Sequence, residues 1–168
     1  MKKALILIDF ENEWRNKKSE EYLGDLKSLL SKTNQLIDFC RSNGYKIIFT
    51  RHVEGNENWS EKSKGTKIIE ELHKQNTDTV LTKHRISPFY KTTLERELKE
   101  VKEIVVCGIL TNLCVRSTVQ DAYDRGFDIT VVKDCCQTYD KKTHDFTIND
   151  LKATRPDIRF LNINEFVI

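Results

Sequence analysis

Short apolar runs alternate along the chain with longer segments in which apolar residues recur every three or four positions. The runs predict strands at residues 4–8, 46–50, 79–82, 104–107, 129–132 and 158–161. The periodic segments predict amphipathic helices at residues 23–40, 94–101, 112–125 and 141–151. This alternation is typical of an α/β domain in which helices cover both faces of a mostly parallel sheet.

Two glycines and one polar stretch mark breaks between these elements. Gly44 and Gly126 follow the last apolar positions of two predicted helices, where glycine commonly ends a helix. Residues 51–67 are rich in Gly, Asn, Glu and Lys and show no periodicity, so we expect a surface loop that shapes a site. A chain of 168 residues without a repeat or linker fits one domain, spanning residues 1–168.

Composition argues against several classes of partner and location. Lys and Arg total 28 against 26 Asp and Glu, and the net charge of +2 supplies no broad field for nucleic acid or a membrane surface. The apolar run at residues 4–8 is too short for a secretion signal or for the ~20 residues that span a bilayer. Five cysteines without zinc-knuckle or disulfide-framework spacing fit a reducing compartment, so we expect a cytoplasmic protein.

Asp9, Lys83 and Cys114 each follow a predicted strand and are the candidate chemical groups. Ligands of open parallel sheets bind beyond the carboxyl ends of the strands, so we expect these three side chains to share one site. The helix start near residue 112 is expected to lower the pKa of the Cys114 thiol and to favour the nucleophilic thiolate. Two plainer interpretations stay open, with Asp9 and Lys83 as solvated strand ends and Cys114 as an inert packed thiol.

Three segments carry a resemblance to a known superfamily. They read LILIDFENEW from Leu5, TKHRISPFYKTTLERELK from Thr82 and VVCGILTNLCVRSTVQDAYDRGFDITVVKD from Val105. In this order and spacing they resemble the isochorismatase-like cysteine hydrolases, a superfamily that includes nicotinamidases, carbamoyl-amide hydrolases and isochorismatases. Glu11 stands where that family's motif has Gln, and this departure bears on the chemistry of the pocket.

The resemblance implies a catalytic triad of Asp9, Lys83 and Cys114. It also implies a three-layer α/β/α fold with a mostly parallel sheet of about six strands in the order 3-2-1-4-5-6. In the family's scheme Cys114 attacks a carbonyl carbon and forms a thioester, while Asp9 acts as the base and Lys83 holds charge in the site. The backbone N–H groups of Leu110 and Cys114 are the implied oxyanion donors, with a cis peptide bond between Ile109 and Leu110.

The family template also places aromatic residues around the substrate pocket. The candidates are Trp14, Trp59, Phe89 and Tyr90, each of which fits the core or a subunit interface equally well. Nicotinamidases carry a metal beside the thiol, bound by an Asp and several His residues after the second strand. The corresponding stretch here, TRHVEGNENW, contains His52 and Glu54 but no further histidine, so we expect neither a metal nor an organic cofactor.

The function that these features favour is hydrolysis of a C–N amide-type bond in a small molecule. Vinyl-ether hydrolysis, as in isochorismatases, is an alternative within the family, although some members with that chemistry lack the cysteine. A non-catalytic small-molecule binding or scaffold protein on the same fold is a second alternative. Because members of this family often dimerise or form tetramers, we expect a homo-oligomer.

Overall fold

The computed structural model describes residues 2–55 and 58–168. Its centre is a six-stranded sheet in the order β3-β2-β1-β4-β5-β6, and every neighbouring pair is parallel. The strands are β1 (Lys2–Ile8), β2 (Lys46–His52), β3 (Thr79–Lys83), β4 (Val101–Ile109), β5 (Asp128–Gln137) and β6 (Arg159–Leu161). The predicted α/β class and strand order are thereby confirmed.

Helices cover both faces of this sheet. They are α1 (Lys27–Ser42), α2 (Leu94–Glu97), α3 (Arg116–Asp124), α4 (Lys141–Thr154) and α5 (Ile163–Phe166). The chain moves one way across the sheet from β1 to β2 and the other way from β4 to β5, so right-handed crossovers place α1 and α3 on opposite faces. α5 packs beside α1. None of the helices in the described part of the chain combines the length and apolar character of a membrane-spanning segment.

The central position of β1 and β4 in the sheet explains why their sequences are apolar without alternation. β1 lies between β2 and β4, and its residues from Ala4 to Ile8 are fully excluded from solvent. A strand covered on both faces has no polar side, so it is recognised as a continuous apolar run. Gly108 lies where β4 passes closest to β1, since a Cβ atom there would lie 2.3 Å from the Ile8 carbonyl oxygen. This close approach brings the ends of the two strands together.

Several elements have other bounds than predicted; α2, for example, ends at Glu97, and β4 already begins at Val101. α1 begins at Lys27 rather than near Leu23, because Leu23 donates its backbone N–H to the Trp14 carbonyl instead of continuing a helix (2.9 Å). β5 continues to Gln137, beyond the predicted end at residue 132. α5 was not predicted; Asp134 of β5 accepts the backbone N–H of Ile163 at its start (2.8 Å). Leu23 and Ile163 thus each make a backbone hydrogen bond to a residue outside their own element.

Candidate active site

Strand order brings Asp9, Lys83 and Cys114 together at the carboxyl edge of the sheet. Asp9 follows β1 and Cys114 follows the adjacent strand β4, whereas Lys83 ends β3, two positions away across β2. The long Lys83 side chain spans that gap. Its Nζ lies 2.7 Å from Oδ2 of Asp9 and 3.4 Å from Sγ of Cys114.

Hydrogen bonds from neighbouring residues hold both the side chain and the backbone of Asp9. It adopts a left-handed backbone conformation (φ +52°) directly after β1. The Thr50 hydroxyl donates to its Oδ1 (2.6 Å), and the Trp14 indole N–H donates to its carbonyl oxygen (2.7 Å). Apart from the ion pair with Lys83, Oδ2 has no hydrogen-bond partner among the described residues. That oxygen is therefore the one available to take a proton.

Lys83 is a buried cation whose ammonium is surrounded by four acceptor atoms. Besides Asp9 and Cys114, the ammonium donates to the Arg85 carbonyl oxygen (3.1 Å) and to Nδ1 of His52 (2.8 Å). Burial lowers the pKa of Lys83, but the Asp9 carboxylate and the Cys114 sulfur raise it, and the net shift is upward. The side chain is thus charged although it is fully excluded from solvent.

The contact with Lys83 also sets the tautomer of His52. Because the ammonium donates to Nδ1, the neutral ring carries its proton on Nε2. This assignment follows from the hydrogen-bond pattern, and it makes Nε2 the donor to the Glu54 carboxylate (2.7 Å). His52 therefore links the buried ammonium on one side to the Glu54 carboxylate on the other.

Cys114 lies in a π-helical turn, Thr111–Val115, that continues directly into α3. Such turns inside longer helices are frequent at functional sites. Burial and the Asp9 carboxylate raise the pKa of the Cys114 thiol to about 12, against the opposing effect of Lys83. The expectation of a lowered pKa is therefore wrong, because the loss of hydration on burial is the largest effect on this thiol.

The remaining cysteines differ from Cys114 in their access to solvent. Cys40, Cys107, Cys135 and Cys136 are buried, whereas Cys114 retains partial exposure. Burial raises the pKa of each of these four thiols. Cys114 is thus the cysteine that combines partial exposure with contact to the Lys83 ammonium.

A cavity of about 450 Å³ opens above these groups. Its deeper part is lined by Asp9, Leu110 and Cys114 together with Trp14, Trp59 and His52. The two indole rings meet edge to face, with their centroids 5.0 Å apart. The other lining residues are more exposed and define its outer part; they are Glu21, Glu54, Ile86, Leu113 and Tyr139. The volume falls within the range of small-molecule sites.

Two of the predicted pocket aromatics lie elsewhere. Phe89 is buried beneath the Arg125 guanidinium, 4.5 Å from its ring centroid, and packs beside Phe127. Tyr90 is 52 % exposed and does not line the cavity. The segment after β3 turns away from the cavity beyond Ile86, so the family template misplaces both residues here.

The peptide bond between Ile109 and Leu110 is cis. It lies between the end of β4 and the π-helical turn that carries Cys114. Leu110 and Cys114 belong to the same short segment, and both line the cavity.

Glu11, which replaces the Gln of the family motif, is a buried carboxyl group beside the site. Its side chain is fully excluded from solvent, and its Oε2 accepts the backbone N–H of His52 (3.1 Å). Burial, and then the charge of Asp9, raise the pKa of Glu11 to about 10. A protonated carboxyl has nearly the shape and polarity of the Gln amide that the family motif has at this position.

Thr50 was missed, although it ends the part of β2 that the sequence predicted. The signal was its place at the same sheet edge as Asp9, one strand away. Sequence reasoning looked for charged and nucleophilic groups at strand ends and passed over a hydroxyl.

Part of this cluster carries side chains of the types that bind metal ions. Ligand atoms of Asp9, His52 and Cys114 all lie within 4.8 Å of one another, and they form the one such group among the described residues. However, the Lys83 ammonium already contacts all three, at 2.7, 2.8 and 3.4 Å. Zinc coordinated by these atoms would have to share their centre with a buried positive charge. The residues present therefore do not fit a metal ion.

Comparisons with known proteins agree with this fold. The chain is 28 % identical over 165 residues to Nicotinamidase 3 of Arabidopsis thaliana, covering 88 % of this chain and 79 % of the relative. The crystal structure of an isochorismatase-like hydrolase from Alkaliphilus metalliredigens superposes with a TM-score of 0.89 at 22 % identity, covering 99 % and 98 % of the two chains. Nicotinamidase/pyrazinamidase PncA from Bacillus subtilis superposes with a TM-score of 0.84 at 21 % identity, covering 96 % and 100 %.

A relative at higher identity is an uncharacterised isochorismatase family protein of Bacillus subtilis, YddQ. It is 30 % identical over 143 residues, which cover 82 % of this chain and 79 % of the relative. The family model described as the isochorismatase domain matches residues 3–157, which include every strand end that contributes to the cluster. This chain therefore belongs to the isochorismatase family of hydrolases.

Proposed function

We propose that this protein hydrolyses a C–N amide bond in a small molecule, with Cys114 as the nucleophile and a thioester as the intermediate. The observation that carries the proposal is the contact of one buried ammonium, Lys83, with both the Asp9 carboxylate (2.7 Å) and the Cys114 sulfur (3.4 Å) beneath an open cavity. A nucleophile and a base held within reach of one another are the requirement for covalent acyl transfer.

In the first step the Cys114 sulfur attacks the amide carbonyl carbon as its thiol proton passes to Oδ2 of Asp9. The thiol begins neutral because its pKa is raised to about 12, so proton removal accompanies attack. The amide oxygen becomes an oxyanion. We assign the backbone N–H groups of Leu110 and Cys114 as its donors, where loss of one donor typically costs about 3 to 4 kcal/mol.

Collapse of this intermediate breaks the C–N bond. Asp9 returns its proton to the departing nitrogen, which leaves as ammonia or an amine, and the acyl group stays on sulfur. Water then attacks the thioester carbon and gives a proton to Asp9, and the sulfur recovers that proton as the carboxylic acid departs. The sum is one amide and one water converted into one acid and one amine.

Lys83 has an electrostatic role in this scheme. Its ammonium lies beside both the base and the sulfur, so it stabilises negative charge whether that charge is on Asp9 or on Cys114. A fixed charge of this kind needs no reorganisation during the reaction.

The test is a screen of small amides, ureido acids and isochorismate for product release, with Cys114→Ala and Cys114→Ser proteins as matched controls. We expect ammonia or amine release from an amide by the wild-type protein, no release by either variant, and unchanged circular dichroism. Mass spectrometry of quenched reactions is expected to show the acyl adduct on Cys114. Turnover of isochorismate alone would instead indicate a vinyl-ether hydrolase. Absence of turnover with tight binding would indicate a binding protein.

A further inference from the structure

The outer part of the cavity is acidic. Glu21 and Glu54 both line it, and no Lys or Arg side chain lines it within residues 2–55 and 58–168. The charge of the deeper Asp9 is balanced by its ion pair with Lys83. The negative charge that a molecule meets on entering the cavity therefore comes from the two glutamates.

The contacts described for the two glutamates are with a histidine and a tyrosine. Glu54 lies 2.7 Å from Nε2 of His52, whose Nδ1 faces the Lys83 ammonium. Glu21 accepts from the Tyr139 hydroxyl, and burial together with that glutamate raises the pKa of Tyr139 well above its ordinary value. Each of these contacts positions a carboxylate that lines the cavity.

Three arginines that lie close to site residues in the sequence have other partners. Arg51 donates to the Thr66 carbonyl oxygen (2.7 Å), Arg85 donates to the His84 carbonyl oxygen (2.7 Å), and Arg116 forms an ion pair with Asp150. None of the three lines the cavity. A substrate carboxylate would thus meet two glutamates in the cavity lining and no lysine or arginine among the lining residues that the structure describes.

Two indole rings complete the wall. Trp14 and Trp59 are 6 % and 9 % exposed and both line the cavity. Their edge-to-face arrangement presents an aromatic surface beside Glu54, whose backbone N–H donates to the Trp59 carbonyl oxygen (2.7 Å). Tryptophan faces next to carboxylates are the chemistry that binds organic cations.

We propose that the substrate of this site is a flat amide that carries a positive charge, held by Trp14, Trp59, Glu21 and Glu54 with its carbonyl directed to Cys114. The orientation of the carbonyl toward Cys114 rests on the proposed amide hydrolysis. The preference for a positive charge depends on the cavity alone. It separates this chain from an enzyme for ureido acids or isochorismate, whose substrates are anions.

The experiment uses three benzamides whose meta substituent is cationic, neutral or anionic. They are meta-(trimethylammonio)benzamide, meta-tert-butylbenzamide and meta-carboxybenzamide, of which the first two have nearly the same shape. Binding is followed by tryptophan fluorescence in the Cys114→Ala protein. Because both tryptophans of the chain line the cavity, the signal reports occupancy without turnover.

We expect the cation to bind on the order of tenfold more tightly than the tert-butyl compound, and the carboxylate more weakly than either. In Glu21→Gln and Glu54→Gln proteins the ratio between the first two is expected to fall by about threefold each, since Gln keeps the acceptor but not the charge. Glu20→Gln is the matched control, because it removes the same charge from an exposed neighbour outside the cavity and leaves the ratio as it was. If the Cys114→Ala protein does not fold, the titration is made with the wild-type protein before turnover.

Equal affinity for the cation and its tert-butyl isostere would overturn the inference, as would a preference that survives both glutamine substitutions. Ammonia release from all three amides without a charge preference would support the proposed hydrolysis but contradict the proposed preference for cationic substrates. A preference for the cation in binding, without ammonia release from any amide, would support the charge preference but contradict the proposed hydrolysis.

Discussion

The Nζ atom of Lys83 lies 2.7 Å from Oδ2 of Asp9, and both side chains are shut off from solvent. The two residues are far apart in sequence and on strands that are not neighbours, so only the sheet order allows this contact. A buried ion pair contributes little net stability, because both charges lose their hydration. Its value here lies in placing one charge of each sign beside the Cys114 sulfur.

Replacement of one partner should cost more stability than replacement of both. Lys83→Met leaves a buried carboxylate unpaired, which is expected to lower the free energy of unfolding by about 3 to 5 kcal/mol. In the Asp9→Asn, Lys83→Met double variant we expect a loss smaller than the sum of the two single losses. Urea denaturation of the four proteins completes the cycle. Additive losses would show that the pair is not coupled.

The hydroxyl of Thr50 should matter to the position of the base. Thr50→Val removes the donor to Oδ1 of Asp9 and keeps the side-chain shape, so we expect a stability loss of about 1 to 2 kcal/mol. For the active protein we expect kcat to fall with little change in KM. Thr50→Ser keeps the hydroxyl and serves as the control. Equal kcat values for the Val and Ser proteins would contradict a positioning role.

Glu11 predicts a specific pH dependence of stability. Its pKa is about 10 in the folded protein against an ordinary 4.5, so the folded state binds this proton more tightly than the unfolded state does. The stability that depends on that proton is complete below pH 4.5 and is lost as the pH rises toward 10.

Glu11→Gln replaces the protonated carboxyl with a neutral group of the same shape. We expect the variant and the wild type to have similar thermal midpoints near pH 4, and the variant to be increasingly more stable above pH 5. The difference should grow by at most about 1.4 kcal/mol per pH unit. Glu13→Gln, a buried neighbour without the contact to His52, is the control. Parallel stability curves for wild type and Glu11→Gln would show that Glu11 is ionised.

The raised pKa of Cys114 can be measured by alkylation. Iodoacetamide should modify Cys114 before the four buried cysteines, with mass spectrometry of the digested protein identifying the site. Because the pKa is about 12, we expect the rate to rise about tenfold per pH unit between pH 7 and 9 without a plateau. A plateau below pH 8 would instead indicate the low-pKa thiolate that the helix start alone suggested.

Metal dependence gives a further prediction. Since the Lys83 ammonium occupies the centre of the Asp9, His52 and Cys114 cluster, we expect chelators to leave amide hydrolysis unchanged. Added zinc is expected to inhibit, because it would compete for the sulfur. Loss of activity on dialysis against a chelator, restored by zinc, would show that the cluster is a metal centre.

Much of this architecture was predictable from local pattern. The apolar runs of β1 and β4 identify central strands because a strand buried on both faces cannot carry polar residues, and the groups that follow them must lie at one edge. Asp9, Lys83 and Cys114 could be selected for that reason. Phe89 and Tyr90 could not be placed, because the path of a loop after a strand depends on contacts with distant residues such as Arg125.

The sequence by itself determined the strands, their parallel arrangement and the residue types at the strand ends, since these follow from hydrophobic periodicity. Only the tertiary structure decided the protonation states of the site: a thiol with a raised pKa at Cys114, a protonated carboxyl at Glu11 and a charged ammonium at Lys83. The reason is physical, because a pKa depends on hydration and on the distance to neighbouring charges, and neither exists until the strands are assembled.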